Sequence, residues 1–374
     1  MGEMLSVSLV IVADDLTGAL DSVEPFATAG LPSVAAVSIE SAPKALASGA
    51  RVVAINTESR DVSEGEARRR IEAAWRAAAP HSPEGVFKKI DSRMKGHVAV
   101  ETGALARASG RSRVVICPAA PDVGRHVEAG RLFGQGVERP MAVADHFVDL
   151  RMAATIVADS GGLSLRDHAD QVRRSPGVIL PVGARGLAQA LADSFAAEAT
   201  ADKREPLNLS APLLIVVGSR DPVTETQVRR LCRDLPQVHG IEAMDGHVDP
   251  DVLAVSAPAA LLRAVSGDGQ QPARMVADRL ADAAADYVRR HGVRTLLCSG
   301  GETLTAVAHR LGVDWLTPLG AAAPGIPVSL GETPEGRFTM ISKSGGFGDP
   351  DALVGIVARM VPAAAGASMM EVSA

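Results

Sequence analysis

The chain has 374 residues, of which 47% are hydrophobic and 22% charged, and its net charge is -6. That length suits two or three domains of an ordinary globular protein, and the mildly acidic balance excludes general nucleic-acid or membrane-surface binding. Cys117, Cys232 and Cys298 are far apart and lack metal-ligand spacing, so they read as reduced thiols of a cytoplasmic protein, while one Tyr and two Trp are too few for a base-stacking platform.

The N-terminal MGEMLSVSLVIVADD has no basic region ahead of its apolar run, so it reads as a first strand and not as a signal peptide. Leu9 to Ala13 is that strand. It stops at Asp14 and Asp15, and a helix runs from Asp15 to Ala29, closed by Gly30. Two adjacent acids at a strand end have two readings. Either Asp15 caps the helix and Asp14 meets water, or a cation or ligand hydroxyl shares the site.

Strands follow at Ser33 to Val37 and Arg51 to Ile55, the second ending in NTESR, Asn56 to Arg60. Ser63 to Ala79 is an amphipathic helix. Val86 to Ile90 is a strand ending at Asp91, Gly96 to Ala106 a helix, and Arg113 to Cys117 a strand stopped by Pro118. From Pro118 to Val148 the pattern breaks into a long Gly-, Pro- and charge-rich connection, expected to be irregular. The polar stretch Ala199 to Pro212 separates two α/β patterns, which places a boundary between residues 1–200 and 201–374. The second half restarts with strand Leu213 to Val217 and a helix through Leu231. It continues with a long helix from Ala273 to His291, strand Thr295 to Cys298, helix Leu304 to Leu311, strands Val328 to Leu330 and Phe338 to Ser342, and a helix Pro350 to Met360. Strands alternating with helices predict an α/β protein of two doubly wound domains with mostly parallel sheets and an active site in the cleft between them.

Two glycine-rich turns follow strands in the second half, SGGET at Ser299 to Thr303 and KSGGFG at Lys343 to Gly348. Glycines let backbone N–H groups approach a phosphate, and a helix N-terminus adds partial positive charge. Lys343 supplies a point charge in front of the second turn. Gly218 and Ser219 form a third turn. In the first half, FKKIDSRMKG sets Lys88, Lys89, Asp91, Ser92, Arg93 and Lys95 around one strand end, with Lys89 and Asp91 on the same face. Cations for a carboxylate and acids for hydroxyls suit a polyhydroxy acid; a solvated charge cluster is the plainer alternative. Arg60 and Arg125 end other segments on the same expected edge. His97 and His126 are weaker candidates.

Taken in order, ADDLTGA, TESR, KKIDS, PAAPDVGR, GSRDPVTETQ, SGGET and KSGGFG resemble the four-carbon acid sugar kinases along nearly the whole chain. The resemblance implies an N-terminal acid-sugar domain, a C-terminal ATP domain and Mg²⁺-dependent phosphorylation of a terminal hydroxyl. On it, Ser219, Gly300, Gly301, Glu302, Thr303, Gly345, Gly346, Phe347 and Gly348 contact ATP, and Lys343, read from its place ahead of the second turn, joins them. On it too, Asp14, Asp15, Lys89, Asp91 and Ser92 lie in the acid-sugar site; the residues themselves add Arg60, and Lys89, Arg93 and Arg125 as anchors of the substrate carboxylate, with Asp15 or Asp91 as the base, Asp14 as the alternative, and the metal ligands undetermined. Arg93 to His97, RMKGH, stands where the family commonly has Thr, Leu, Arg, Gly, Asn, which predicts a reshaped pocket. A homodimer is compatible with the reading. The alternatives are an NAD(P)-dependent dehydrogenase, which lacks its GxGxxG fingerprint here, and a non-enzymatic sugar-acid binding protein.

Overall fold

The computed structural model describes residues 7–150, 152–159, 165–195, 209–267 and 271–361. The 200/201 boundary expected from sequence lies outside them. The first strand, Leu9–Ala13, is buried along its whole length, as a run of apolar residues covered by helices on both faces must be. The helix Leu16–Thr28 follows, with Asp15 as its N-cap: the carboxylate accepts from Gly18 N at 2.8 Å. Pro25 inside this helix has no N–H for the Asp21 carbonyl, and the Arg185 guanidinium donates to that carbonyl at 2.9 Å instead.

All but three strands of the described residues join one 14-stranded sheet. The N-terminal part runs Ser33–Ala36, Val52–Asn56, Leu9–Ala13, Gly85–Lys89, Ile179–Gly183, Arg113–Cys117, Ala153–Ile156, all parallel. The C-terminal part has a parallel set, His239–Met244, Ala259–Val265, Leu213–Val217, Thr295–Ser299 and Gly336–Lys343. An antiparallel bridge of Gly336–Lys343, Ile326–Thr333 and Trp315–Ala323 then pairs with Ser33–Ala36 through Trp315 and Leu316. The two α/β halves are therefore hydrogen-bonded edge to edge, and one apolar cluster, from Val7 to Met340, runs through both.

Through that antiparallel bridge the parallel strands of the two halves run in opposite senses. Flat, the sheet would put their carboxyl edges at opposite ends. From Thr295–Ser299 to Leu9–Ala13 there are six steps, which at the usual 20–25° per step give roughly 120–150° of twist. Bulges at Pro318/Gly320 and Ala321/Ala323 add to it. The carboxyl edges are thereby turned towards each other.

The connection expected to be irregular, Pro118 to Val148, instead holds a small antiparallel sheet, Arg125–Glu128, Arg131–Gly134 and Met141–Ala142. Its strands are short, and tight turns at Ala129 and Gly130, both with positive φ, hide the alternation.

Candidate active site

Register brings the first set of polar residues together. Ala13 pairs with both Asn56 and Lys89, so the chain leaves three adjacent strands at one level and delivers Asp14–Asp15, Thr57–Arg60 and Asp91 to one edge. Arg60 binds them. Its Nε donates to Asp14 Oδ2 at 2.7 Å, its Nη1 to Asp15 Oδ2 at 2.9 Å, and Asp91 Oδ1 lies 3.8 Å away. Burial alone would raise the Asp14 carboxyl, but Arg60, Lys88 and Lys89 outweigh it and hold it at about 2. The same Arg60 charge, against burial and Asp14, keeps Asp91 below the usual carboxylate range. Burial opposes the Arg60 charge as well, yet the three acids raise its pKa further.

The acids differ in what they have left to offer. Asp15 accepts from Gly18 N, from Thr17 Oγ1 at 2.7 Å and from Arg60, so both its oxygens are committed. The capping reading of Asp15 is therefore present, and so is the shared-cation reading. Asp14 is buried, and its Oδ1 makes no hydrogen bond among the described residues. Asp91 Oδ2 accepts from Arg93 N at 2.9 Å and Lys95 N at 3.3 Å, while among the described residues Oδ1 has only the long contact to Arg60. Among the described residues, Asp14 Oδ1 and Asp91 Oδ1 are thus the oxygens of the three acids without a short hydrogen bond.

The second half repeats the device. Val217 pairs with Ser299, and Ser299 with Lys343, so three turns stand side by side. They are tied together by Ser219 N to the Ser299 carbonyl, 3.2 Å, and Gly300 N to the Lys343 carbonyl, 3.0 Å. Glycine is required by contact: a Cβ on Gly218 would strike Thr303 Oγ1, and one on Gly345 would strike Ser219 Oγ. Gly300 has φ +113, which other residues adopt at a cost. Helix Gly301–Arg310 begins there with its free N–H groups towards the cleft.

The edges face each other across a cleft of about 770 Å³. From the N-terminal half Asp14, Asp15, Arg60, Asp91, Arg93 and Arg125 line it. From the C-terminal half come Ser219, Gly300 to Thr303, and Gly345 to Phe347. Contacts close the cleft: Ser344 Oγ meets Thr17 Oγ1 at 3.1 Å, Arg93 Nη2 meets Asp221 Oδ2 at 3.1 Å, and Arg125 Nη2 donates to the Gly346 carbonyl at 3.1 Å.

Four expected site residues stand behind the wall. Lys89 donates to the Ile90 carbonyl at 2.8 Å and lies beside Gly18; Asp91 pairs with Arg60, not with Lys89. Ser92 Oγ accepts from Arg125 at 2.7 Å. Gly348 turns the chain at φ +84 against Ala352 and Gln227. Lys343 is fully buried; its ammonium donates to Thr224 Oγ1 at 3.0 Å and to the Ser344 and Gly345 carbonyls at 3.1 and 3.2 Å. With neutral partners only, burial pulls it down to about 7 despite Asp221. It braces the turn from inside instead of reaching the cleft. Of the histidines, His97 Nε2 sits 2.5 Å from the Val62 carbonyl and His126 Nδ1 2.9 Å from Asp159. Neither lines the cleft. Cys117 and Cys298 are buried and pushed up to about 12, inert thiols.

Sequence reading missed Glu58, Asp61, Asp221 and Arg274, which also line the cleft. Glu58 and Asp221 stood inside motifs already singled out. Arg274, at the start of helix Ala273–His291, had no local signal; it enters through its ion pair with Glu58 across the halves.

Residues 9–149 match the model of a sugar-binding N-terminal domain and residues 241–353 that of a nucleotide-binding C-terminal domain, together more than half of the chain. The chain belongs to the four-carbon acid sugar kinase family. Similar family members include the D-threonate kinase of Bordetella bronchiseptica, 28% identical over 92% of this chain and 95% of that one. A 3-oxo-tetronate kinase of Methylobacterium radiotolerans is 27% identical over 93% and 98%. A solved Haemophilus influenzae protein shares the fold, with TM-score 0.64 and 20% identity over 94% of this chain and all of that one. A Salmonella typhimurium LT2 protein does so with TM-score 0.69 and 19% identity over 94% and 99%. The family's two domain models fall one on each side of the cleft, sugar model on the Arg60 side and nucleotide model on the side of the glycine turns.

Proposed function

We propose that this protein is an ATP-dependent kinase that phosphorylates a terminal hydroxyl of a small acid sugar. The observation that carries the reading is the cleft itself: three acids gathered on Arg60 face three glycine turns and a helix N-terminus. Residues 1–200 would supply the acid-sugar half and 201–374 the nucleotide half.

Phosphoryl transfer asks mainly for positioning and charge neutralisation. The N–H groups of Gly301, Gly345 and Gly346 hold the phosphates, while those of Ser219 and Gly300 tie the turns together. Arg60 keeps Nη2 for the substrate, since Nε and Nη1 serve Asp14 and Asp15, and exposed Lys95 stands on the same rim. These cations take the sugar-acid carboxylate. Asp91 Oδ1 accepts the hydroxyl proton. The joined halves exclude water.

Mg²⁺ is expected with the nucleotide. Among the described residues no group of three or more His, Cys, Asp or Glu is gathered to hold a metal alone, which suits an ion held largely by phosphate oxygens. Burial and then Asp61 raise the Glu302 carboxyl, against Arg274. Glu302 and Asp61 are the carboxylates that would hold the ion, which neutralises phosphate charge when bound. No helix among the described residues is long and apolar enough to cross a membrane. A cytoplasmic location and a homodimer belong to the same proposal; sedimentation at micromolar concentration tests the latter, and a monomer refutes it.

The test is ATP consumption with threonate, erythronate and 3-oxo-tetronate. Turnover of at least one acid is expected. A folded protein that neither binds ATP nor turns over any of them refutes the reading.

A further inference from the structure

The Asp91 turn carries a second charged group. Arg93 N donates to Asp91 Oδ2 at 2.9 Å and Met94 N to the Asp91 carbonyl at 2.9 Å, with Met94 in the left-handed region at φ +61. The backbone of Arg93 is thus fixed to the acid placed as base. Its side chain crosses the cleft. The guanidinium reaches Asp221 Oδ2 at 3.1 Å, and its carbon and both Nη atoms lie 3.1 Å from where a Cβ of Gly346 would stand. Asp221 in turn caps helix Pro222–Asp234 and accepts from Val223 N at 3.1 Å. Arg93 therefore spans the path from the proton acceptor to the glycine turn on the nucleotide side.

A second guanidinium lies alongside. A Cβ on Gly136 would be 3.5 Å from both Arg125 Nη2 and Arg93 Cδ. Arg125 is 1% exposed, held by the Gln135 carbonyl, Ser92 Oγ and the Gly346 carbonyl, with Phe347 stacked 4.9 Å away. It is a strut, with each of its three nitrogens already in a hydrogen bond. Arg93 is half-buried, and among the described residues its only side-chain hydrogen bond is the one to Asp221. Burial and the neighbouring Arg93 charge lower the Arg125 pKa, against Asp91, Asp21 and Asp221.

We propose that Arg93 is a catalytic residue that neutralises the phosphoryl group in flight, an arginine supplied by the acid-sugar half to the nucleotide half of its own chain. This rests on the kinase reading. The substrate hydroxyl oxygen forms a bond to the γ-phosphorus. The bond from that phosphorus to the β,γ-bridging oxygen breaks, its electron pair leaves with ADP, and the hydroxyl proton passes to Asp91 Oδ1. Arg93 leaves Asp221 for the equatorial oxygens, where charge is spread in the transition state. Asp221 holds the guanidinium near that position until the nucleotide arrives. Arg93 is then spent on the phosphoryl group and not on the substrate carboxylate.

Steady-state kinetics of Arg93→Ala and Arg93→Lys test this, on whichever acid the wild type turns over. Arg93→Ala is expected to lower kcat by at least about 100-fold, since an arginine in this role is commonly worth 10³–10⁵. KM for the acid should change less than about threefold. Arg93→Lys keeps the charge but loses the fork and should fall between. Added guanidinium at millimolar concentration should restore part of the Arg93→Ala rate, which a structural role would not allow. A raised acid KM with kcat intact would make Arg93 a carboxylate anchor and overturn the inference, as would an unchanged kcat. A wild type inactive on every acid overturns the kinase reading itself and this inference with it.

Discussion

Replacing Asp91 by Asn separates chemistry from folding. The Asn carbonyl oxygen can keep both backbone donors of Oδ2, Arg93 N and Lys95 N, so the turn survives. What is lost is the charge facing Arg60 at 3.8 Å. At an effective dielectric of 20 that attraction is worth about 4 kcal/mol before desolvation. Arg60 still holds Asp14 at 2.7 Å and Asp15 at 2.9 Å, so the net stability loss should be about 1 kcal/mol. That is a fall of about 2–4 °C in Tm. The loss in turnover should be larger. A general base contributes about 10²–10⁴-fold. Asp91 is held below the usual carboxylate range, hence a weak base, so the low end applies: about 100-fold in kcat, or about 2.7 kcal/mol of barrier. ATP binding should be unchanged, because Asp91 stands on the other edge. Coupled measurement of ADP release at saturating acid, beside a melting curve and an ATP titration, reads all three. An Asp91→Asn enzyme turning over within about threefold of wild type would refute the assignment of the base.

Three further outcomes follow from the same geometry. Asp21 is buried in the first helix, and burial, helped by Asp122 and opposed by Arg185 and Lys89, raises it to about 6. A raised carboxyl makes its full contribution below the unfolded pKa near 4 and loses it as pH rises through 6. Asp21→Asn should therefore stabilise the protein by about 1–3 kcal/mol at pH 7.5 and by almost nothing below pH 4; urea titrations at the two values decide, and an equal gain at both contradicts the shift. Lys343→Met removes the donor that holds the Ser344 and Gly345 carbonyls inward. KM for ATP should rise about tenfold with the acid KM steady. In the wild type, ATP affinity should weaken as pH climbs through 7 and Lys343 loses its third proton; a flat profile from pH 6 to 8 speaks against the brace. Gly301→Ala would place a Cβ 2.7 Å from Asp15 Oδ2, so the two edges must part. Turnover should drop at least about tenfold while the melting temperature moves little; normal turnover would mean the edges need not touch.

Strand ends and glycine turns were legible because each is a local signal. VADDLTGA announced a buried strand, two acids and a capped helix, and all three are there: Asp15 caps, and it also serves Arg60. The Ser299 and Lys343 turns follow strands, as their glycines require. Lys343, expected at the phosphates, turns into the protein, because sequence tells which residue leaves a strand and not which way its side chain turns. The antiparallel strand Trp315–Ala323 was also invisible, since Pro318 and Gly320 interrupt its alternation and its bulges shift its register.

By itself the sequence determined the α/β class, most of the alternating strands and helices and the two chemical inventories, acids with cations in one half and glycine turns in the other. Those depend on periodicity and on residues adjacent along the chain. Only the tertiary structure decided that the halves share one sheet and that opposed strand directions still bring the two carboxyl edges face to face. It also decided that Arg60 gathers three acids and that Arg93 crosses to Asp221, 128 residues away. Each of these comes from register and accumulated twist across many strands, quantities that no single stretch of the chain carries.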